Sequence, residues 1–189
     1  MKYFKRLTAM AALAACTITA TPAKAHHPEY APKIVNYLQR LGVKLYLNST
    51  DCGSSGRPGW NRLGWYRPRT NEMCIKDHSL IGAISWYRTL NHEAWHVIQD
   101  GIDGGIKSAT MNSLSQHTYR TMGEYKMNEL IDNFKKRNTH AQLISAQEYG
   151  RTQKNSKYYA IEWEARMVEE HPDVVLKSLK ILCRETPGC

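Results

Sequence analysis

The residues of this 189-residue chain best suited to chemistry are two histidines and a glutamate at close spacing. His92, Glu93 and His96 form the pattern His-Glu-x-x-His. Residues four apart lie on one face of a helix, so both imidazoles can direct a ring nitrogen at one metal ion. Glu93 is not needed as a ligand, and its carboxylate can take a proton from water. The pattern therefore predicts a zinc site with Glu93 as a general base.

The helix that carries this pattern is predicted to begin near Ser85 and to end at Gly101, where a glycine-rich breaker follows. Its apolar residues recur at spacings of four, four and three, which gives a stripe that can be buried: Trp86, Leu90, Ala94 and Val97. His92, His96 and Gln99 lie on roughly the opposite side. The alternative to a metal site is a buried helix whose histidines only form hydrogen bonds. The metal site is possible only if another part of the chain supplies a third ligand.

The third ligand is expected from a helix in the second half of the chain. Glu162 and Glu164 both border an apolar stripe there, and helix geometry alone does not choose between them. Glu169 and Glu170 are predicted to belong to a solvated helix face. Three further histidines stand alone in polar sequence, where a solvated or capping role is expected: His117, His140 and His171.

The first 25 residues are predicted to be a signal peptide rather than part of the fold. A basic start, an apolar run at residues 7–20 and an Ala-x-Ala sequence ending at Ala25 are typical of export. Residues 13–16 are similar to a bacterial lipobox, so the alternative is a lipid anchor on Cys16 at the membrane. Residues 26–189 are expected to form one domain in the periplasm or outside the cell.

The four cysteines beyond residue 25 agree with export, because an even number suits disulfides in an oxidising compartment. Of the three possible pairings, Cys52–Cys74 and Cys183–Cys189 are favoured. The formal charge of +9 falls to +5 without residues 1–25, because four Lys or Arg and no acid are lost. The longest basic run is residues 135–137, so nucleic-acid binding is not expected.

The remaining patterns predict an α+β fold, in which a small N-terminal sheet and the metal helix precede a helical C-terminal half. Strands are predicted at residues 43–47, 63–66 and 72–76. Other helices are predicted at residues 32–41, 111–137 with a break at Gly123, 141–149, 158–170 and 172–183.

Two sequence patches together resemble the gluzincin branch of the zincin metallopeptidases. They are His-Glu-x-x-His-Val-x-Gln at residues 92–99 and Glu-x-Glu-Ala at residues 162–165. The resemblance implies a zincin-like fold and one zinc ion per chain, held by His92, His96 and Glu162. It implies an exported bacterial enzyme that hydrolyses peptide bonds of a peptide or protein substrate, with Glu93 as general base.

The resemblance carries two further implications about the site. The strand with Cys74, just before the metal helix, would be the sheet edge that holds an extended peptide. A tyrosine or histidine would stabilise the oxyanion. Arg166 stands where many such families have Asp.

The alternatives to a peptidase are a zinc hydrolase of a non-peptide amide or ester bond in the cell envelope, and a non-catalytic binding protein. The intact Glu93 disfavours the second.

Overall fold

The computed structural model describes residues 28–50, 52, 62–102, 106, 110–151 and 156–189, and within them the chain is α+β. The predicted signal peptide and Cys16 lie outside the described residues. The described elements, in order, are α1 Ala31–Arg40, β1 Lys44–Ser49, β2 Gly64–Arg67, β3 Glu72–Lys76, α2 His78–Ile81, α3 Ala83–Gly101, α4 Leu114–Met122, α5 Glu124–Arg137, α6 His140–Arg151, α7 Ser156–Val168 and α8 Pro172–Glu185.

The sheet has the strand order β1-β3-β2, so β3 lies in the middle. β1 is parallel to β3, and β2 is antiparallel to it, with Gly64 opposite Ile75. The expectation that the strand with Cys74 is a sheet edge is therefore wrong. The residues of β3 explain its place, because Met73, Cys74 and Ile75 are buried in succession, as in a strand covered on both faces.

The elements before and after the metal helix largely follow the predicted patterns. Ile34 and Leu38 are buried on one face of α1, which ends before Gly42 in the left-handed region at φ +73°. The break at Gly123 is confirmed, since α4 ends and α5 begins there. α4 begins at Leu114 rather than residue 111, because the Ser113 side chain accepts a hydrogen bond from Gln116 N and caps the helix.

The metal helix α3 is buried on every side from Thr89 to Gly101, not only along its apolar stripe. It follows a short helix, α2, which is not among the helices that the sequence patterns predict. It packs against β2, β3, α7 and α8. Gly101 allows the contact with α8, because a Cβ there would lie 2.5 Å from Leu182 Cδ1. The polar side of α3 is thus covered by protein, chiefly by α7.

Both predicted disulfides are present. Cys52–Cys74 joins Cys52, which lies between β1 and β2 in the chain, to the central strand, and Cys183–Cys189 closes the end of α8. Arg40 of α1 donates a hydrogen bond from Nε to the Cys189 carbonyl at 2.9 Å, which fastens the C-terminal residue to the first helix. Among the helices of the described ranges, none is long and apolar enough to cross a membrane.

Candidate metal centre

Two histidines of α3 and one glutamate of α7 converge on a single point. Nε2 of His92 and Nε2 of His96 are 3.1 Å apart. Glu162 Oε2 lies 3.3 Å from His92 Nε2, and Glu162 Oε1 lies 3.7 Å from His96 Nε2. The structure thus brings together the three residues that the sequence resemblance implies as ligands, and this buried group could hold a metal ion.

The hydrogen-bond partners of the two rings fix the direction of their lone pairs. His92 Nδ1 lies 2.8 Å from Oε1 of Glu169, a carboxylate that accepts when ionised. His96 Nδ1 lies 2.8 Å from Oε1 of Gln99, whose Nε2 donates to the Ile161 carbonyl and so leaves the amide oxygen for the histidine. Each neutral ring therefore carries its proton on Nδ1 and directs the Nε2 lone pair at the other ring.

This arrangement fits a metal cation. Two Nε2 lone pairs at this distance repel each other, and the buried Glu162 Oε2 accepts no hydrogen bond from the described residues. A cation among the three groups would satisfy all of them. Ligand atoms about 2.0–2.1 Å from a tetrahedral zinc ion are about 3.3 Å from one another, close to the observed separations. Two imidazoles and a carboxylate also form a donor set that suits zinc.

The electrostatics of the site favour one additional positive charge. Burial lowers the pKa of His92, but the close carboxylates of Glu162 and Glu169 outweigh burial and raise that pKa to about 10. Burial likewise opposes ionisation of Glu162, yet His96, His92 and Arg166 lower its pKa to about 2. A proton on His92 or a metal cation between the rings can supply the charge, so the two compete for this position.

Glu164 is separated from Glu162 by its surroundings, although both belong to α7. Its side chain is fully buried, and its carboxylate accepts four hydrogen bonds, none of them from a histidine. The donors are Leu114 N, Ser115 N, Ser115 Oγ and Gln99 Nε2, at 2.6 to 3.0 Å. Burial nevertheless raises the pKa of Glu164. Glu164 therefore anchors the start of α4, while Glu162 faces the histidines.

The three converging side chains open onto a cavity of about 560 Å³. Glu93 lines it, is itself buried and has its pKa raised by burial against the opposing effect of the two histidines. A raised pKa suits a carboxylate that must both accept and return a proton near neutral pH. The rest of the wall includes the start of β2 together with Tyr149 and Arg166.

The expectation that Glu169 and Glu170 form a solvated face is wrong. Their side chains are only 11% and 15% exposed. Glu169 holds His92 and accepts a hydrogen bond from Arg166 at 2.9 Å, while Glu170 pairs with Arg88. Glu169 thus lies where its carboxylate can orient the His92 ring. One signal could have identified it, since it stands seven residues, about two helical turns, after Glu162.

The other histidines considered as ligands do not join this group, which among the described residues consists only of His92, His96 and Glu162. His140 is exposed and His117 half-buried, at the start of α6 and within α4. His171 occupies the N-cap position of α8, as a capping residue would, but its side chain forms no cap hydrogen bond. It is not solvated, since it is only 5% exposed.

No protein-family model, curated protein or solved structure was found to match the chain. The resemblance to the gluzincins, which the two motifs carry, stays a prediction.

Proposed function

We propose that the chain is an exported zinc-dependent metallopeptidase with a zincin-like fold. The observation that supports this best is the convergence of His92, His96 and Glu162 beside the buried carboxylate of Glu93, at the wall of an open cavity. A pure binding scaffold has no need of a buried carboxylate at that position. The two disulfides agree with an exported protein, because such bonds persist in oxidising compartments.

The proposed roles follow from where each side chain lies. His92, His96 and Glu162 would hold the zinc ion, which when bound supplies Lewis-acid polarisation of a carbonyl and acidifies water. Glu93 would accept a proton from the attacking water and return it to the leaving nitrogen. The position of Glu93 directly after His92 keeps its carboxylate at the cavity wall without making it a ligand.

Two tyrosines line the cavity, and their positions favour different roles. Tyr66 donates toward Asp100 at 2.9 Å and lies 3.0 Å from Asn71, which ties β2 to α3. Tyr149 lies with its ring centroid 6.2 Å from that of His92, and burial raises its pKa, so its hydroxyl keeps its proton. Tyr149 would therefore be the donor that stabilises an oxyanion.

The strand that would hold an extended peptide is β2, the sheet edge that borders the cavity. Lys76 N donates to the Leu63 carbonyl at 2.8 Å, so Leu63 and Lys76 form a hydrogen-bonded pair of the antiparallel ladder. Because such pairs alternate, the backbone groups of Gly64 and Tyr66 face away from β3. A peptide strand could therefore add to β2 in front of the metal site.

The position of β2 against the metal helix depends on a glycine. A Cβ at Gly64 would lie 2.6 Å from Thr89 Cγ2 and 2.8 Å from the Cys74 carbonyl oxygen. Only glycine therefore allows the strand to approach α3 this closely. The close approach places the strand edge and the histidines in walls of the same cavity.

The decisive experiment combines metal analysis with a substitution at Glu93. The purified chain is expected to hold one zinc ion, and His92→Ala or His96→Ala is expected to lose it. Glu93→Gln keeps the shape of the side chain but cannot accept a proton. Zinc content and Tm should then stay near wild type, while hydrolysis of a mixed peptide library falls by about 10²–10⁴-fold.

The matched control is Glu148→Gln, an identical change at an exposed residue of α6, which should leave both zinc and hydrolysis unchanged. Full activity in Glu93→Gln would remove the proposed mechanism. Absence of stoichiometric metal from the wild-type chain would remove the metal centre itself. Cleavage of cell-wall amide bonds without cleavage of peptides would keep the zinc chemistry and replace the substrate.

A further inference from the structure

A second cleft adjoins the cavity onto which His92, His96 and Glu162 open, which we call the metal cavity. It has a volume of about 540 Å³ and shares Tyr66 and Met111 with the metal cavity as common walls. Its other lining residues come chiefly from the turn between β2 and β3, and two of them are the arginines Arg67 and Arg69. We call it the arginine cleft. Its position makes it an extension of the proposed substrate groove beyond the metal site.

The two adjoining cavities differ in charge. Three carboxylates line the metal cavity, whereas no carboxylate of the described residues lines the arginine cleft. Arg67 and Arg69 are exposed, and neither forms an ion pair with any residue that the structure describes. Glu72 stands opposite Arg67 in the ladder, but its carboxylate lies 3.7 Å from Lys44 Nζ and accepts a hydrogen bond from Thr70. The positive charge of the cleft is thus available to a ligand.

One of the two guanidinium groups is held in place by an aromatic ring. The Cζ of Arg67 lies 4.0 Å from the ring centroid of Trp65, which itself lines the metal cavity. Stacking of this kind restrains the guanidinium plane and leaves its N–H edge for hydrogen bonds. A guanidinium edge matches the two oxygens of a carboxylate.

Strand β2 connects the metal cavity with the arginine cleft. Gly64 lines the metal cavity and Arg67 lines the arginine cleft. Because a strand rises about 3.3 Å per residue, roughly 10 Å separates these two residues. A peptide lying along β2 would pass the metal site and then place a side chain about three residues away in the arginine cleft.

We propose that the arginine cleft selects substrates with an acidic side chain, Asp or Glu, about three residues from the bond that is cleaved. This inference rests on the proposed peptidase function, because the strand edge would hold the substrate backbone. A peptide fits these observations better than a nucleic acid does. Single-stranded nucleic acids need a longer basic groove with successive stacking platforms, and this cleft offers two arginines beside a strand edge.

The test measures binding separately from hydrolysis. The ligands are the terminally capped hexapeptides Ala-Ala-Glu-Glu-Ala-Ala, its Gln-Gln analogue and its Lys-Lys analogue. They are titrated calorimetrically into the zinc-loaded Glu93→Gln variant, which should bind without cleaving. The Glu peptide is expected to bind about tenfold more tightly than the Gln peptide, and the difference should shrink as salt is added.

Substitutions in the cleft locate the preference. The double variant Arg67→Gln with Arg69→Gln should abolish the difference between the Glu and Gln peptides, and Arg67→Glu with Arg69→Glu should make the Lys peptide the tighter ligand. Arg184→Gln, the same change at an exposed arginine of α8, is the matched control and should leave the preference intact. Equal binding of all three peptides to the Glu93→Gln chain would overturn the proposal, as would an unchanged preference in the double variant.

Failure of the cleft and failure of the peptidase give different results. A wild-type chain that cleaves library peptides without any preference for acidic residues would overturn the cleft and leave the peptidase standing. Selective, arginine-dependent binding of the Glu peptide without hydrolysis of any peptide would support the cleft and overturn the peptidase. An oligothymidylate of about eight nucleotides that binds more tightly than the Glu peptide through the same arginines would overturn the assignment to peptides.

Discussion

The two histidines of the candidate metal centre are supported in opposite ways. His92 is held by Glu169, which Arg166 holds in turn, at the cavity side of the molecule. His96 is held by Gln99, whose amide is bound by Glu164 and the Ile161 carbonyl in the interior. The first support is an ion pair that reaches solvent, and the second is a buried network that continues to the start of α4.

Because of this difference, the two supports should contribute differently to metal binding and to the stability of the fold. The cavity-side support touches His92 and the wall of the cavity, so weakening it should affect chiefly metal binding when zinc is present. The interior support also supplies hydrogen bonds to the backbone of α4, so weakening it should affect stability as well. Asn112 N donates to the Gln99 carbonyl, which further ties the segment before α4 to the metal helix.

The largest effects are expected from the two glutamates of α7. Glu162→Gln removes a charged ligand and should weaken zinc binding by more than the 10- to 100-fold typical of outer-shell partners. Glu164→Gln places an amide N–H₂ among four donors and should destabilise the fold by about 2–3 kcal/mol, lowering Tm by about 4–12 °C. Zinc competition with a chelator and calorimetry of the two variants measure both quantities.

The two variants serve as controls for each other, since both replace Glu by Gln on one helix. Glu164→Gln should retain one zinc ion per chain below its lowered Tm. Zinc loss in Glu164→Gln but not in Glu162→Gln would contradict the assignment of the ligand, and would reverse the roles of the two carboxylates.

A smaller effect should distinguish the two supports directly. Glu169→Gln should lower zinc affinity by about 10- to 100-fold with little change in Tm, since the amide oxygen can still accept from His92. Gln99→Met keeps the volume but removes the acceptor for His96 and one donor to Glu164. It should lower both zinc affinity and Tm. An equal fall of Tm in the two variants, measured with saturating zinc, would show that the supports do not differ as described.

The sequence predicts the parts of this molecule that depend on local spacing. The metal helix, the break at Gly123 and the helix after Pro172 follow from periodicity, glycine and proline, and all are present. Both predicted disulfides are present: Cys52–Cys74 is favoured as a bond that staples a long loop, and Cys183–Cys189 as one that closes around Pro187 and Gly188. The candidate roles of His92, Glu93 and His96 could be predicted from the geometry of a single helix.

The parts that depend on distant contacts could not be predicted in this way. The order β1-β3-β2 is set by pairing across the chain, although three consecutive buried residues in β3 mark a central strand. The roles of Glu162 and Glu164 depend on where α4 begins, which the periodicity of α7 does not contain. Neighbouring charges usually lie on a solvated face, so the sequence predicts a solvated Glu169, whereas contacts with α3 bury this side chain.

Without metal, the free energy of unfolding should depend on pH, because a proton on His92 then supplies the additional positive charge that the site favours. The pKa of His92 is raised to about 10. Its contribution to stability should therefore be complete below about pH 6.5, the value in the unfolded chain, and be lost as the pH rises toward 10. The raised pKa of Glu93 acts in the same direction. The lowered pKa of His171 acts only below about pH 6.5.

Calorimetry at several pH values between about 6.5 and 10, with a chelator and with excess zinc, measures this effect. Tm should fall with rising pH in the chelated chain and change much less with zinc, which replaces the proton at His92. The chelated His92→Gln variant should lose most of the pH dependence. A chelated Tm that stays level or rises over this range would contradict the assignment of the extra charge to His92.

The smallest effect is expected at the outer end of the cavity-side support. Arg166 donates to Glu169 at 2.9 Å and stacks over the Tyr149 ring, with its Cζ 4.1 Å from the ring centroid. Arg67 stacks over Trp65 in a similar way, at 4.0 Å. Its side chain is 36% exposed, so water screens the ion pair. Such pairs contribute about 0.2–1 kcal/mol, so Arg166→Gln should weaken zinc binding by only about 1.4- to 5-fold. In a double-mutant cycle with Glu169→Gln, the effect of Arg166→Gln should largely disappear, because Arg166 acts on His92 only through Glu169. An effect of Arg166→Gln that persists in the Glu169→Gln background would show that Arg166 acts on the metal centre by a separate route, through Tyr149 or the cavity itself.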